Sequence, residues 1–220
     1  MPKVGVCLSG CGVFDGAEIT EAVCTILALD QKGAEIIFMA PDIELDEIDH
    51  ITQKPTGAKR NVLKESARIA RGEIKDVKDV KFTDIDALIF PGGFGAAKNL
   101  SNFAEKGPEA VMNPDVARLA REVHEAGKPI GAICIAPALI AILFKGRLNQ
   151  VKITIGNDKG TAQALEAMGA KHEDRNVNEV CIDEDNKIVT TPAYMLAQRP
   201  SEVWEGISKL VDEVLKMIGK

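Results

Sequence analysis

The sequence is short of aromatic side chains, of histidine and of long apolar runs, and each shortage excludes a class of function. Aromatics make up only 4% of the 220 residues, too few for a platform that stacks unpaired bases. Charge is mildly acidic, with 27 Lys and Arg against 33 Asp and Glu for a net of -6. Nucleic acid and anionic membrane surfaces are therefore excluded as partners. The longest apolar run, Ile130 to Phe144, is interrupted by Gly131 and Pro137, so no membrane span is expected. The N-terminus enters a strand-like segment at once and shows no signal peptide, which gives the expectation of a cytoplasmic protein. The three histidines, His50, His124 and His172, do not cluster. The five cysteines (Cys7, Cys11, Cys24, Cys134 and Cys181) are odd in number and hold no C-x-x-C pair. Neither a disulfide framework nor a metal site follows from them.

What is present is ordinary globular composition, 45% hydrophobic and 27% charged, at a length that suits one domain spanning 1–220. Lys3 to Ser9 reads as a strand buried on both faces, Glu18 to Gln31 as a helix closed by Gly33, and Ala34 to Ala40 as a second strand. The helix is expected to turn Ile19, Val23, Ile26, Leu27 and Leu29 inward. This β-α-β opening implies a parallel pair. Residues 42–84 break the rhythm. They are charge-rich, with one helix from Asn61 to Arg71 and a lysine–aspartate run from Lys75 to Lys81. They read as an insertion or covering element, the run being a solvated edge strand or loop.

Alternation then resumes. Strands are expected at Ala87–Phe90, Pro129–Cys134 and Lys152–Ile155, with a hairpin pairing Val180–Asp183 and Lys187–Thr191. Helices are expected at Pro114–Ala126, Pro137–Leu143, Gly160–Met168 and Ser201–Ile218. The pattern is α/β: a three-layer, doubly wound, mostly parallel sheet of flavodoxin-like type with an inserted helical or edge element. Ligand sites in such sheets lie at the carboxyl ends of the strands.

Three segments fall at that edge. In Gly131-Ala-Ile-Cys134-Ile-Ala-Pro137 a cysteine ends a buried strand and a helix follows directly. That is the layout of a nucleophile elbow, whose helix N-terminus would favour thiolate over thiol. The plainer reading is a core cysteine. Pro91-Gly-Gly-Phe-Gly95 permits positive φ and close backbone approach, suiting either an oxyanion hole or a flexible turn. The loop Ser9 to Glu21 is neither a dinucleotide fingerprint nor a P-loop. It carries Asp15, Glu18 and Glu21, of which Asp15 and Glu18 read as helix caps. A carboxylate near a thiol can accept or donate its proton.

Together G-A-E-I-T-E-A-V, P-G-G-F-G and A-I-C-I-A-P resemble the PfpI/ThiJ superfamily of class I glutamine-amidotransferase-like folds. Ser9 to Glu18, Pro91 to Phe103, Cys134 to Pro137 and Asp183 to Gln198 are more similar still to its ElbB branch, labelled enhancing lycopene biosynthesis protein and glyoxalase. The resemblance covers essentially the whole chain. It implies Cys134 as nucleophile and Glu21 as the glutamate bonded to its sulfur. Gly93, with Gly92 and the Ile135 amide, matches the oxyanion donors. It further implies a homodimer, and a cofactor-independent glyoxalase acting on a small aldehyde or dicarbonyl, glyoxal giving glycolate.

The sequence departs from the superfamily where relatives carry a histidine near the elbow. Ile135 and Ile155-Gly156-Asn157 stand there, and Thr191-Pro192-Ala193 stands near the place of the amidotransferase H-P-E. His172 is the remaining candidate base, and turnover resting on Glu21 alone is expected to be slow. A second function class stays open, in which an easily oxidised Cys134 senses redox state with Cys11 as resolving thiol. A third is an amidotransferase-like protein with weak or no activity.

Overall fold

The computed structural model describes residues 1–147 and 150–219. In chain order the elements begin with β1 (Lys3–Cys7), α1 (Ile19–Gln31) and β2 (Glu35–Ala40). The segment that breaks the rhythm follows: β3 (Glu44–Asp49), β4 (Lys54–Asn61), α2 (Val62–Ile69) and β5 (Lys75–Asp76). Then come β6 (Ala87–Phe90), the short α3 (Phe94–Lys98) and α4 (Phe103–Lys106), α5 (Pro114–Glu125), β7 (Ile130–Ile133) and α6 (Pro137–Phe144). The chain ends with β8 (Lys152–Ile153), α7 (Lys159–Ala167), β9 (Lys171–His172), β10 (Cys181–Asp183), β11 (Ile188–Thr191) and α8 (Pro200–Met217).

Seven strands form the central sheet in the order β10-β11-β7-β6-β1-β2-β5. All neighbours run parallel except the β10–β11 hairpin. Strands β6 and β7 are buried along their whole length, as the uninterrupted runs Ala87–Phe90 and Ile130–Ile133 require of strands covered on both faces. One apolar layer packs α1 and α8 on the sheet, and the other packs α5, α6 and α7 on the opposite face. Helix α6 is apolar all round and buried on nearly every side, so its start just past Cys134 is fixed from all directions.

Three local expectations need correction. The segment from Lys152 to Ile155 is a strand only over Lys152–Ile153, and it pairs with β9 outside the central sheet. The inserted segment holds an antiparallel β3–β4 hairpin that its charge-rich sequence did not announce, while Lys75–Asp76 does join the sheet edge against β2. Helix α1 is rotated from its apolar periodicity. Ile19, Val23 and Leu27 are exposed, whereas Glu21, Ala22, Thr25 and Leu29 are buried. The rotation carries Glu21 to the sheet edge, a placement that amphipathic patterning does not encode.

Asp15 likewise does not cap α1; Glu18 does, its side chain accepting from the Glu21 amide at 2.7 Å. Asp15 is 2% exposed and accepts from the Ile48 amide at 2.9 Å and from the Arg60 guanidinium. Arg60 also pairs with Glu47 and Glu65, so this network ties the inserted hairpin to the loop after β1. Asp15→Ala should cost about 2 kcal/mol, because the Ile48 amide loses its acceptor while Arg60 keeps two carboxylates. Denaturant unfolding checks this, and a loss indistinguishable from zero would refute the anchoring role.

Candidate active site

The parallel strands β6, β7 and β11 stop at one edge, and the chain turns sharply after each. After β7 the turn is made by Cys134 itself, which sits in the left-handed region at φ 62°. Its amide donates to the Thr191 carbonyl at 2.9 Å, and Pro137 at the helix start begins α6 three residues later. A cysteine held at positive φ between strand and helix is the elbow geometry, in which the side chain is turned off the sheet toward the edge. Cys134 remains only 8% exposed.

The turn after β6 is Gly92-Gly93, and the space there admits nothing larger. A Cβ on Gly92 would lie 2.5 Å from the Cys134 Cβ and 2.5 Å from Glu21 Oε2. Gly93 has φ 93°, and its Cβ would lie 2.4 Å from both the Glu18 nitrogen and the Gly16 carbonyl oxygen. This packing brings the Gly93 amide, together with that of Ile135, onto the Cys134 sulfur. The Gly92 amide is committed elsewhere, donating to Glu21 Oε2 at 3.0 Å. Gly92 is therefore corrected from oxyanion donor to support of the carboxyl.

Glu21 reaches this edge from the first turn of α1 and is fully buried. Oε2 takes the Gly92 amide, Oε1 takes the Tyr194 amide at 3.2 Å, and the carboxyl hydrogen-bonds Cys134. Burial, reinforced by the charge of Glu18, pushes Glu21 up to about 8 despite these donors. Burial also pushes the Cys134 thiol well above its ordinary value, and an ionised Glu21 adds to that; the Gly93 and Ile135 amides oppose it. The expectation that a helix N-terminus leaves Cys134 a resting thiolate is thus corrected, because desolvation outweighs the dipole. Thiol and carboxyl titrate as a pair that holds its protons at neutral pH.

The other candidates lie apart from this pair. The His172 ring faces the Ile155 amide at 3.3 Å and Asp174 at 3.6 Å, so the structure does not join it to the thiol. His124 packs edge-on against Phe144, and His50 accepts from the Phe14 amide through Nε2 while its Nδ1 donates to the Ile48 carbonyl. Cys11 has Glu65, Arg68, Arg60 and Asp15 as charged neighbours, on the side of the inserted hairpin. Among the described residues no hydrogen bond joins it to Cys134. Cys7, Cys24 and Cys181 are buried core residues. The Tyr194 amide was missed; the Thr191-Pro192-Ala193 segment was the one signal pointing to it.

Fold and site together define a flavodoxin-like α/β protein with a cysteine elbow and a buried glutamate at the carboxyl edge of its sheet. The chain belongs to the DJ-1/PfpI family, which it matches over residues 11–197. It is 46% identical, over 99% of its length and 84% of the relative's, to the human "Glutamine amidotransferase-like class 1 domain-containing protein 3, mitochondrial". It is 32% identical, over 99% and 87%, to "ES1 protein, mitochondrial" of Danio rerio. Among solved structures it is similar to an isoprenoid biosynthesis protein with an amidotransferase-like domain from Ehrlichia chaffeensis, with TM-score 0.90 and 35% identity over 97% and 99% of the chains. Glyoxalase III of Candida albicans shares the fold, with TM-score 0.63 at 18% identity over 99% and 97%. The mitochondrial names of the curated relatives overturn the expectation of a cytoplasmic protein.

Proposed function

We propose that the protein is a cofactor-independent glyoxalase acting on small dicarbonyls such as glyoxal. The observation that carries this reading is the Cys134–Glu21 contact flanked by the Gly93 and Ile135 amides. The first proton lost from the pair leaves Glu21 as the carboxylate, which takes the Cys134 proton as the sulfur attacks, so that a thiolate forms beside a protonated carboxyl. The sulfur adds to one aldehyde carbon, and the C=O electron pair moves to oxygen, where the two amides stabilise it. Glu21 protonates that oxygen and becomes the carboxylate. It then removes the C–H proton of the new hemithioacetal, the second carbonyl oxygen taking up a proton to give an enediol. It returns a proton to the neighbouring carbon as the first hydroxyl gives up its own, leaving a glycolyl thioester. Water breaks the C–S bond, releasing glycolate and restoring the thiol, so glyoxal plus water balances glycolic acid. The fold shared with a glyoxalase III supports the reading, and the names of the closer relatives support a mitochondrial setting.

The test is glycolate formation from glyoxal by the purified protein and by Cys134→Ser. The wild type should turn over slowly and the variant not at all, while Cys7→Ser and Cys24→Ser retain activity. Equal rates in wild type and Cys134→Ser would sink the proposal. Because the reactive form has lost a proton from a pair whose carboxyl titrates near 8, kcat/KM should climb about tenfold per pH unit toward that value and then flatten. A profile flat from about pH 6 to about pH 8 would contradict the assignment.

A further inference from the structure

Five residues other than glycine adopt positive φ among the described residues: Gln53, Arg71, Cys134, Lys187 and Ala193. Gln53 and Arg71 are exposed and Lys187 is half-buried, so an ordinary turn explains them. The two buried ones are Cys134 at 62° and Ala193 at 43°, and both serve the same carboxyl. Cys134 meets Glu21 through its sulfur. Ala193 meets it through the next peptide, since the Tyr194 amide donates to Glu21 Oε1. The register strengthens the coincidence: Ile133 and Thr191 are paired across β7 and β11, and the chain turns left-handed one residue past the first and two past the second.

An alanine with no exposed surface gains nothing locally from a left-handed backbone, which a glycine would adopt freely. Strain of this kind persists where surrounding structure over-determines it and commonly marks a functional constraint. Here Pro192 enters the turn, and the Ala193 carbonyl is held by the Leu196 and Ala197 amides at 3.0 and 2.8 Å. The turn is therefore fixed on both sides, and its product is one amide aimed at one carboxylate oxygen.

We propose that Ala193 is a positioning residue whose left-handed turn holds the Tyr194 amide on Glu21, so that this amide sets how tightly Glu21 keeps the proton it exchanges with Cys134. A backbone donor on Oε1 favours the charged carboxyl, opposing burial; losing it leaves Glu21 neutral to higher pH. The titratable groups facing Glu21 are Glu18, which caps the same helix, Cys24 one turn on, and Cys134 from the end of β7. Helix α8, packed along α1, joins it by the Lys32–Asp212 ion pair at the opposite end. The inference deepens the proposed glyoxalase reading, from which it takes the purpose of Glu21. Its test reads ionisation without substrate, so inactivity toward glyoxal would not decide it.

The experiment is an NMR titration of the whole protein, following the carboxyl carbon of Glu21 and the amide protons of Gly92 and Tyr194. In the wild type both amide resonances should move with the Glu21 midpoint. A Tyr194 resonance that stays flat through that midpoint overturns the inference, and this arm needs no variant. Ala193→Gly, which tolerates the same backbone, should leave the midpoint in place. Ala193→Val, whose branched side chain disfavours positive φ, should raise it by about half a pH unit or more, because a carboxylate that loses a donor holds its proton longer. A folded Ala193→Val protein titrating like wild type also overturns it.

Discussion

Glu21→Gln is expected to be less stable than wild type at about pH 5.5 and to draw level with it, or overtake it, by about pH 8. The low-pH deficit follows from hydrogen-bond bookkeeping. Both carboxyl oxygens accept backbone amides, from Gly92 and Tyr194, and a glutamine must turn its own N–H groups toward one of them. That leaves a buried amide without an acceptor, a loss of about 1–3 kcal/mol. The crossover follows from linkage. Glu21 keeps its proton to about 8 in the folded protein against an ordinary 4.5. The stability it contributes is therefore complete below the ordinary value and is lost as pH rises toward 8. The loss runs at ~1.4 kcal/mol per pH unit, or about 3 kcal/mol over the interval named, and glutamine cannot titrate. Urea unfolding of both proteins across that range measures the difference. Parallel stability curves would mean that Glu21 ionises normally and that the paired titration with Cys134 is wrong. The same variant should lose roughly a hundredfold or more in glycolate formation, since no group remains to carry the proton.

Gly93→Ala should be among the most damaging single-methyl additions in the chain. The residue lies at φ 93°, and the added carbon would meet two backbone atoms, the Glu18 nitrogen and the Gly16 carbonyl oxygen, each at 2.4 Å. Backbone cannot rotate aside as a side chain can, and the adjoining Glu18-to-Gly92 hydrogen bond of 3.0 Å would be strained with it. Positive-φ strain and overpacking together should cost about 3–5 kcal/mol. Gly127 provides the control. It has φ 68° with nothing within 4 Å of its missing Cβ, so Gly127→Ala bears the conformational penalty alone, about 1 kcal/mol. Thermal unfolding of the two variants separates close approach from conformation. Equal losses would show that the loop after β1 yields to the methyl group and that the glycine pair does not set the site's geometry.

Much of the molecule is legible in its sequence. Buried runs such as Ala87–Phe90, punctuated by proline and glycine, mark their strands because a strand covered on both faces has no polar alternation to hide. Cys134 was legible as an elbow because strand end, small neighbours and Pro137 are all local in sequence. The face of α1 was not. Its apolar side chains Ile19, Val23 and Leu27 point out, since the helix is held by what Glu21 must reach, 113 residues further along the chain. The β3–β4 hairpin also escaped notice, because its register is pinned by the buried Asp15–Arg60 contact rather than by alternation of its own.

The sequence by itself determined the doubly wound sheet and the cysteine elbow, which follow from short-range patterns of burial, glycine and proline. Glu21 was pointed to by the family resemblance and not by any local pattern. The tertiary structure alone decided that Cys134 rests as a thiol, that the Gly92 amide serves Glu21, and that a strained Ala193 presents Tyr194 to it. Ionisation and donor assignment depend on desolvation and on amides brought together from α1, β6, β7 and β11, and no local pattern carries that information.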